Sequence, residues 1–217
     1  MKTVGYLVNH QAGLEGERGV FFDYVLASNG LFIEAEGPYM AARIPVAEAK
    51  VRGLAPLEPQ IALRHGLIPD CLFELALSEM LKDPGREKYV AVTWKDGYHL
   101  YVPEQQTSGG SVKYSTGENV VLDLHSHGGM GAFFSATDDR DEQGLRLFGV
   151  VGHLDGCPEL LLRCGVYGYF HPLEWEDVFE GICPITEGEE TQEEVTALDN
   201  RPFWRRWFSK ATGQISC

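Results

Sequence analysis

Positive charge is scarce in this chain: 18 Lys and Arg stand against 32 Asp and Glu, a formal net charge of −14. Non-specific binding to nucleic acid draws on concentrated positive charge, so no nucleic-acid partner is expected. Long apolar runs are missing as well. None approaches the roughly 20 residues needed to span a bilayer, so no stable membrane insertion is expected. The opening MKTVGYLVNHQAGLEGE lacks the apolar core and small-residue cleavage site of a secretory leader. The five cysteines (Cys71, Cys157, Cys164, Cys183, Cys217) are odd in number and have no Cys-x-x-Cys spacing. They read as reduced, mostly buried thiols of a cytoplasmic protein, not as a disulfide frame or zinc ribbon. No Gly-x-Gly-x-x-Gly or other phosphate-binding loop is present. The His-x-Glu and Pro-Cys-x-x-Cys pattern of the zinc deaminases is absent too.

What is present is enough apolar residue, 44% of 217, to bury a core as one domain, or one domain with a small appendage. Residues 1–65 read as β-rich. Strands are expected at Gly5–Asn9 and Phe21–Ala27, with a hairpin turn at Asn29-Gly30 returning through Leu31–Glu36. Tyr39–Val46 adds a further strand, and the two prolines of 52–59 mark a linker. A helix is expected over 69–82, with Pro69 near its first turn and Leu72, Phe73, Ala76, Leu77, Met80 and Leu81 on its apolar face. Asp83-Pro84-Gly85 stops it. Two strands, 88–94 and 98–103, join at Lys95-Asp96-Gly97. The polar, Gly- and Ser-rich stretch 104–116 reads as a loop.

The chain is organised around 120–143, VVLDLHSHGGMGAFFSATDDRDEQ. A short apolar run opens as a buried strand and ends in His125-Ser126-His127. Residues two apart on a strand face the same side, so the two imidazoles project together. A Gly-rich link leads to Ser135-Ala136-Thr137-Asp138, where Ser135 takes the N-cap position of a helix and Asp138 its third residue. The link allows Asp138 to fold back onto the imidazole pair. Two neutral nitrogens and one carboxylate, with one position open to water, form the ligand set of a catalytic zinc site. Each His would also need an acceptor for its other ring nitrogen. Asp123 is read onto the strand's opposite face, and Asp139 and Asp141 are near in sequence only. Strand-like runs at 145–151 and 160–169 follow, joined through 152–158. His153 and His171 fall outside the metal spacing and read as turn or strand-end histidines.

His125-x-His127, seven residues, then Ser135-x-x-Asp138 resembles the JAMM motif of the JAB/MPN metalloproteases, of the prokaryotic JAB type. The resemblance covers about residues 66–183, and the chain as a whole is further similar to the JAB-type A proteins of bacterial PRTRC systems. Two positions depart from the motif: Gly128 and Phe134 stand where the family usually has proline. The resemblance implies an α/β (α+β) JAB/MPN fold of the cytidine-deaminase-like kind, a β-sheet sandwiched by helices. It is preceded by the β-rich extension 1–65, and the domain runs over 66–185. Residues 186–217 hold an acidic linker and the basic, aromatic segment 201–210. That segment reads as a terminal helix packing its rings on the domain, with partner docking or membrane-surface contact as alternatives.

The same resemblance implies a Zn2+ enzyme hydrolysing a bond at the C-terminus of a ubiquitin-like protein. His125, His127 and Asp138 would be the ligands, and Ser135 would donate to the oxyanion. A Glu near the start of the strand after the first helix would be the general base, and by position Glu87 matches best. Glu104, at a strand end, is its rival, and Glu118 a weaker one. The partners implied are a ubiquitin-like substrate and an activating-enzyme-like (ThiF-type) neighbour. A non-catalytic JAB scaffold that binds a ubiquitin-like partner is the second reading. An enzyme latent until a partner orders 104–116 is the third.

Overall fold

The computed structural model describes residues 2–103, 106–108, 111–113 and 119–188. They cluster into two compact units: the residues up to Glu36 with Ala41–Gln60, and Gly37–Met40 with the residues from Ile61 on. The first unit is built on β1 (Val4–His10), β2 (Gly13–Glu17), β3 (Phe22–Ala27), β4 (Gly30–Glu36) and β5 (Met40–Glu48). They pair in the order β2-β1-β3-β4-β5, and β6 (Gln60–Leu63) follows in the chain. Strand β3 alternates buried and half-buried residues, the period-2 pattern of a sheet packed on one face. Leu7, Val25, Ala27 and Phe32 make a core that Leu57 covers. The expected β3–β4 hairpin is present, though Gly30 already pairs with Ala27, so Ser28-Asn29 form its turn. Strand β2 was not expected: all five of its residues are exposed and carry no alternation to read.

The second unit starts with α1 (Asp70–Met80), which buries Phe73, Ala76 and Met80. Phe73 packs edge-on against Trp175 and Phe179, with ring centroids 5.3 and 5.5 Å away. Leu81, expected on the apolar face, is exposed and closes the helix as its C-cap. Strands β7 (Tyr89–Trp94) and β8 (Tyr98–Tyr101) form the expected hairpin. Asp96 and Gly97 at its turn take positive φ. Where a loop was expected, the described residues form a small hairpin of β9 (Gln106–Ser108) and β10 (Ser111–Lys113). Then come β11 (Val120–Ser126), α2 (Ala136–Asp141), β12 (Leu145–Gly152), β13 (Glu159–Val166), β14 (Tyr169–Leu173) and β15 (Thr186–Glu187). The main sheet runs β14-β13-β12-β11-β7-β8, with β15 pairing β13. The run read as one strand over 160–169 is in fact two, because Tyr167 and Gly168 take positive φ and turn the chain.

The architecture is α+β and rich in sheet, with two α-helices among the described residues. No helix among them is long and apolar enough to cross a membrane. Strands β11 and β12 are the parallel pair that positions the site. Parallel neighbours need a crossover, and 127–144 supplies it, carrying α2 back over the sheet from the end of β11. The thiols are less buried than expected. Cys71 and Cys157 are exposed, on the outer side of α1 and in the β12–β13 turn, and Cys183 is half-buried. Only Cys164 is buried, which pushes its thiol up to about 12. None of these four is in a disulfide, while Cys217, most of 187–194 and all of 201–210 lie outside the described residues.

Candidate metal centre

Strand β11 alternates two faces. Leu122, Leu124 and Ser126 are fully buried on one, and Asp123, His125 and then His127 share the other. His125 and His127 turn their Nε2 atoms toward each other at 3.2 Å. Asp138 reaches them from α2, its Oδ1 3.6 Å from His125 Nε2, and the three ligand atoms all lie within 4.8 Å of one another. Two nitrogens each about 2.0–2.1 Å from a tetrahedral ion stand about 3.3 Å apart, so the histidine spacing already fits one. His127 is 7% exposed, while the side chains of His125 and Asp138 are 21% and 20% exposed. The cluster therefore has a closed wall and a side open to solvent.

The capping box aims the carboxylate. Ser135 N–H donates to Asp138 Oδ2 at 2.6 Å, and Asp138 N–H donates to Ser135 Oγ at 3.2 Å. With Oδ2 engaged, Oδ1 is the oxygen left facing the histidines. Burial lowers the His125 imidazole to about 4; Asp138 pulls it up, and His127 and Arg163 push it further down. His125 is thus neutral at pH 7, with a lone pair free for a metal.

The link between His127 and Ser135 is stitched to the end of β12. His127 N–H donates to Val151 O, His153 N–H to Met130 O, and Leu154 N–H to Gly128 O. Glu159 Oε1 accepts Ala132 N–H at 2.7 Å. Gly128 takes φ +61°, which the fixed ring of proline forbids, and a Cβ there would lie 2.8 Å from Pro84 O. The loop therefore takes a backbone path at 128 that proline could not follow. Phe134, the other departure, lays its ring on Arg163, whose Cζ is 3.7 Å from the ring centroid.

Two expectations need correction. Asp123 lies on the same face as His125, not the opposite one, because positions two apart share a side. Its carboxylate accepts the Tyr89 hydroxyl and Arg146 Nη1, the latter at 2.6 Å. The acceptor expected behind His127 is absent among the described residues: its buried Nδ1 has no partner. The ring is instead packed against Phe133, with centroids 4.4 Å apart. Asp139 is engaged with Arg163, and Asp141 is exposed beside Arg140.

Glu87 is exposed at the start of β7 and stands outside the three-ligand cluster. The two residues after it are tied to the ligand strand. Tyr89 pairs with His125, and Lys88 and Ser126 exchange hydrogen bonds through Lys88 O and Ser126 Oγ. Glu104 and Glu118 lie outside the described residues. His153 sits in a turn with φ 51°, and His171 is in β14.

Sequence reasoning missed Arg163, a nearly buried guanidinium on β13 that is tied to α2. Its signal was one cation in the otherwise uncharged run LLLRCGV. Among known proteins, the family model for prokaryotic homologs of the JAB domain matches residues 81–163, a shorter span than the motif resemblance reached. Neither the curated proteins nor the solved structures contain a match to the chain. The matched span holds the whole His-His-Asp group, and it is over residues 81–163 that this chain is similar to the prokaryotic JAB family.

Proposed function

We propose that this chain is a zinc-dependent JAMM-type isopeptidase or peptidase that hydrolyses a bond at the C-terminus of a ubiquitin-like protein. The observation that carries this reading is the convergence of His125, His127 and Asp138 within the JAB-matched span. Three donors with one open side suit a catalytic zinc centre better than a closed structural one. Zinc, when bound, supplies Lewis acidity that polarises a carbonyl and lowers the pKa of water toward 7.

The chain's own residues do the rest. His125 and His127 bind as neutral imidazoles, and Asp138 adds the one negative charge. Ser135 uses an oxygen lone pair to cap α2, so its O–H stays free to donate to a developing oxyanion, a contact worth roughly 3 kcal/mol. Glu87, which precedes the strand paired with the ligand strand, takes a proton from the attacking water and delivers it to the leaving amine. The lack of disulfides among the described cysteines suits a reducing, cytoplasmic setting. The motif's resemblance supports an activating-enzyme-like (ThiF-type) protein as the neighbour.

A second reading, a non-catalytic scaffold that binds a ubiquitin-like partner, draws on the lack, among the described residues, of an acceptor behind His127. The test is the metal content of freshly purified protein, then its action on ubiquitin-like proteins carrying C-terminal extensions. About one zinc per chain together with cleavage supports the enzyme. Zinc without cleavage of any member of the panel favours the scaffold. No zinc, even after it is supplied and the excess dialysed away, sinks the metal reading.

A further inference from the structure

Helix α2 carries a metal ligand yet has little to hold it in place. It is six residues long, buries none of them, and is far shorter than the roughly 12–15 residues at which an isolated helix becomes even marginally stable. Its capping box orders the segment internally but does not attach it to the sheet. That attachment is made by Arg163 of β13, which is 4% exposed. Arg163 Nη1 donates to Asp139 Oδ1 at 2.6 Å, and Nε donates to Glu142 Oε2 at 2.8 Å with Nη2 on the same oxygen. The guanidinium plane lies between two rings, with Cζ 3.7 Å from the Phe134 centroid and 3.8 Å from that of Phe170. Three of these four partners belong to 134–142, the stretch that holds Ser135 and Asp138. The fourth, Phe170, is on β14.

We propose, resting on the metal reading above, that Arg163 is the positioning residue of the metal centre: it clamps 134–142 to the sheet and so fixes Asp138 against the His pair. The clamp needs a planar fork with donors on its edge and two faces for rings, which arginine offers and lysine does not. It also accounts for Phe134, since a proline there would leave one face of the guanidinium uncovered. Arg163 binds neither metal nor substrate. It acts through the backbone of α2, whose Asp139 and Glu142 flank the ligand one and four residues on.

The test compares wild type with Arg163→Met and Arg163→Lys. Zinc affinity is read by competition with a chromogenic chelator, and ligand geometry by the visible absorption of the Co2+-loaded proteins. Amide hydrogen exchange over 136–142 is followed in the metal-free proteins. Arg163→Met is expected to weaken zinc about tenfold or more, to change the Co2+ spectrum, and to speed exchange across α2. Arg163→Lys keeps the charge and is expected to recover only part of each. If Arg163→Met does not fold, Asp139→Asn with Glu142→Gln loosens the clamp from the helix side, and the same three changes are expected. Unchanged affinity and unchanged exchange, beside a wild type that binds zinc, would overturn this proposal alone. A wild type that binds no zinc overturns the metal reading itself, and this proposal with it.

Discussion

Asp138 divides its carboxylate between two neighbours: Oδ2 takes the N–H of Ser135 at 2.6 Å, and Oδ1 stands 3.6 Å from His125 Nε2. One side chain thus closes the capping box of α2 and stands third in a group that could hold a metal ion. The two roles are separable by substitution. Asp138→Asn retains a carbonyl oxygen for the Ser135 N–H but loses the charge. It is expected to fold with nearly wild-type stability while zinc affinity, read by chelator competition, falls at least tenfold. Asp138→Ala is expected to lose the zinc and about 1 kcal/mol of stability as well. Equal zinc affinity in wild type and both variants would remove Asp138 from the ligand set.

Ser135 accepts Asp138 N–H with its hydroxyl oxygen and keeps its own proton to donate. Ser135→Ala is expected to cost about 1 kcal/mol of stability, from the lost cap. Turnover is expected to fall on the order of 100-fold or more, from the lost oxyanion contact. Ser135→Thr restores both groups and should rescue both measurements. A variant that loses the stability but keeps full kcat would leave Ser135 as a cap and nothing more.

The parts of this site that were legible in the sequence are the local ones. The period of a strand places His125 with His127, and cap chemistry places Ser135 with Asp138; both rules act within a few residues. The same period of two also places Asp123 on their face, so the signal for it was present in the sequence. Arg163 was not legible, because its partners Asp139 and Glu142 lie 24 and 21 residues away and meet it only through sheet register. Strand β2 gave no pattern because it buries nothing. The break between β13 and β14 was signalled by Gly168 and overlooked in a continuous apolar run.

Two buried groups pull stability in opposite directions with pH. His125 is lowered by burial from 6.5 to about 4, so as pH falls the unfolded chain takes up this proton first. Its contribution to stability is fully present above pH 6.5 and lost by about pH 4. Glu142 is raised by burial from 4.5 to about 8, against the pull of Arg163. The folded state holds a proton that the unfolded chain releases, so stability falls as pH rises through that range. Above pH 6.5 only the Glu142 effect remains. Urea unfolding of metal-free protein between pH 6.5 and 8 should show stability falling on the order of 1 kcal/mol per pH unit. Glu142→Gln should flatten that slope. A slope that persists in the variant would assign it to another group.

The loop between His127 and Ser135 passes so close to β12 that Gly152 has no room for a side chain. A Cβ there would stand 2.1 Å from Ala132 N and 2.4 Å from Gly131 C, both backbone atoms. Gly152→Ala must therefore displace 130–132, and thermal unfolding is expected to show a loss of about 1–3 kcal/mol. Because that loop joins the His pair to the Ser-x-x-Asp segment, zinc affinity should fall in the same variant. Wild-type affinity in a destabilised Gly152→Ala would mean that the two halves of the site do not depend on this contact.

Glu87 offers the cleanest separation of chemistry from structure. It is exposed at the start of β7, so Glu87→Gln is expected to change stability by less than about 0.5 kcal/mol. It also lies outside the cluster of His125, His127 and Asp138, so the zinc content of the variant should equal that of wild type. A glutamine keeps the shape and can still hydrogen-bond water, but it cannot take up a proton at neutral pH. Turnover of a cognate ubiquitin-like substrate should therefore fall by two to four orders of magnitude, the usual reach of general acid–base catalysis. Loss of turnover with metal and fold intact would assign the proton transfer to Glu87. Turnover equal to wild type would instead move the role to Glu104, whose replacement by Gln is then the variant expected to be inactive.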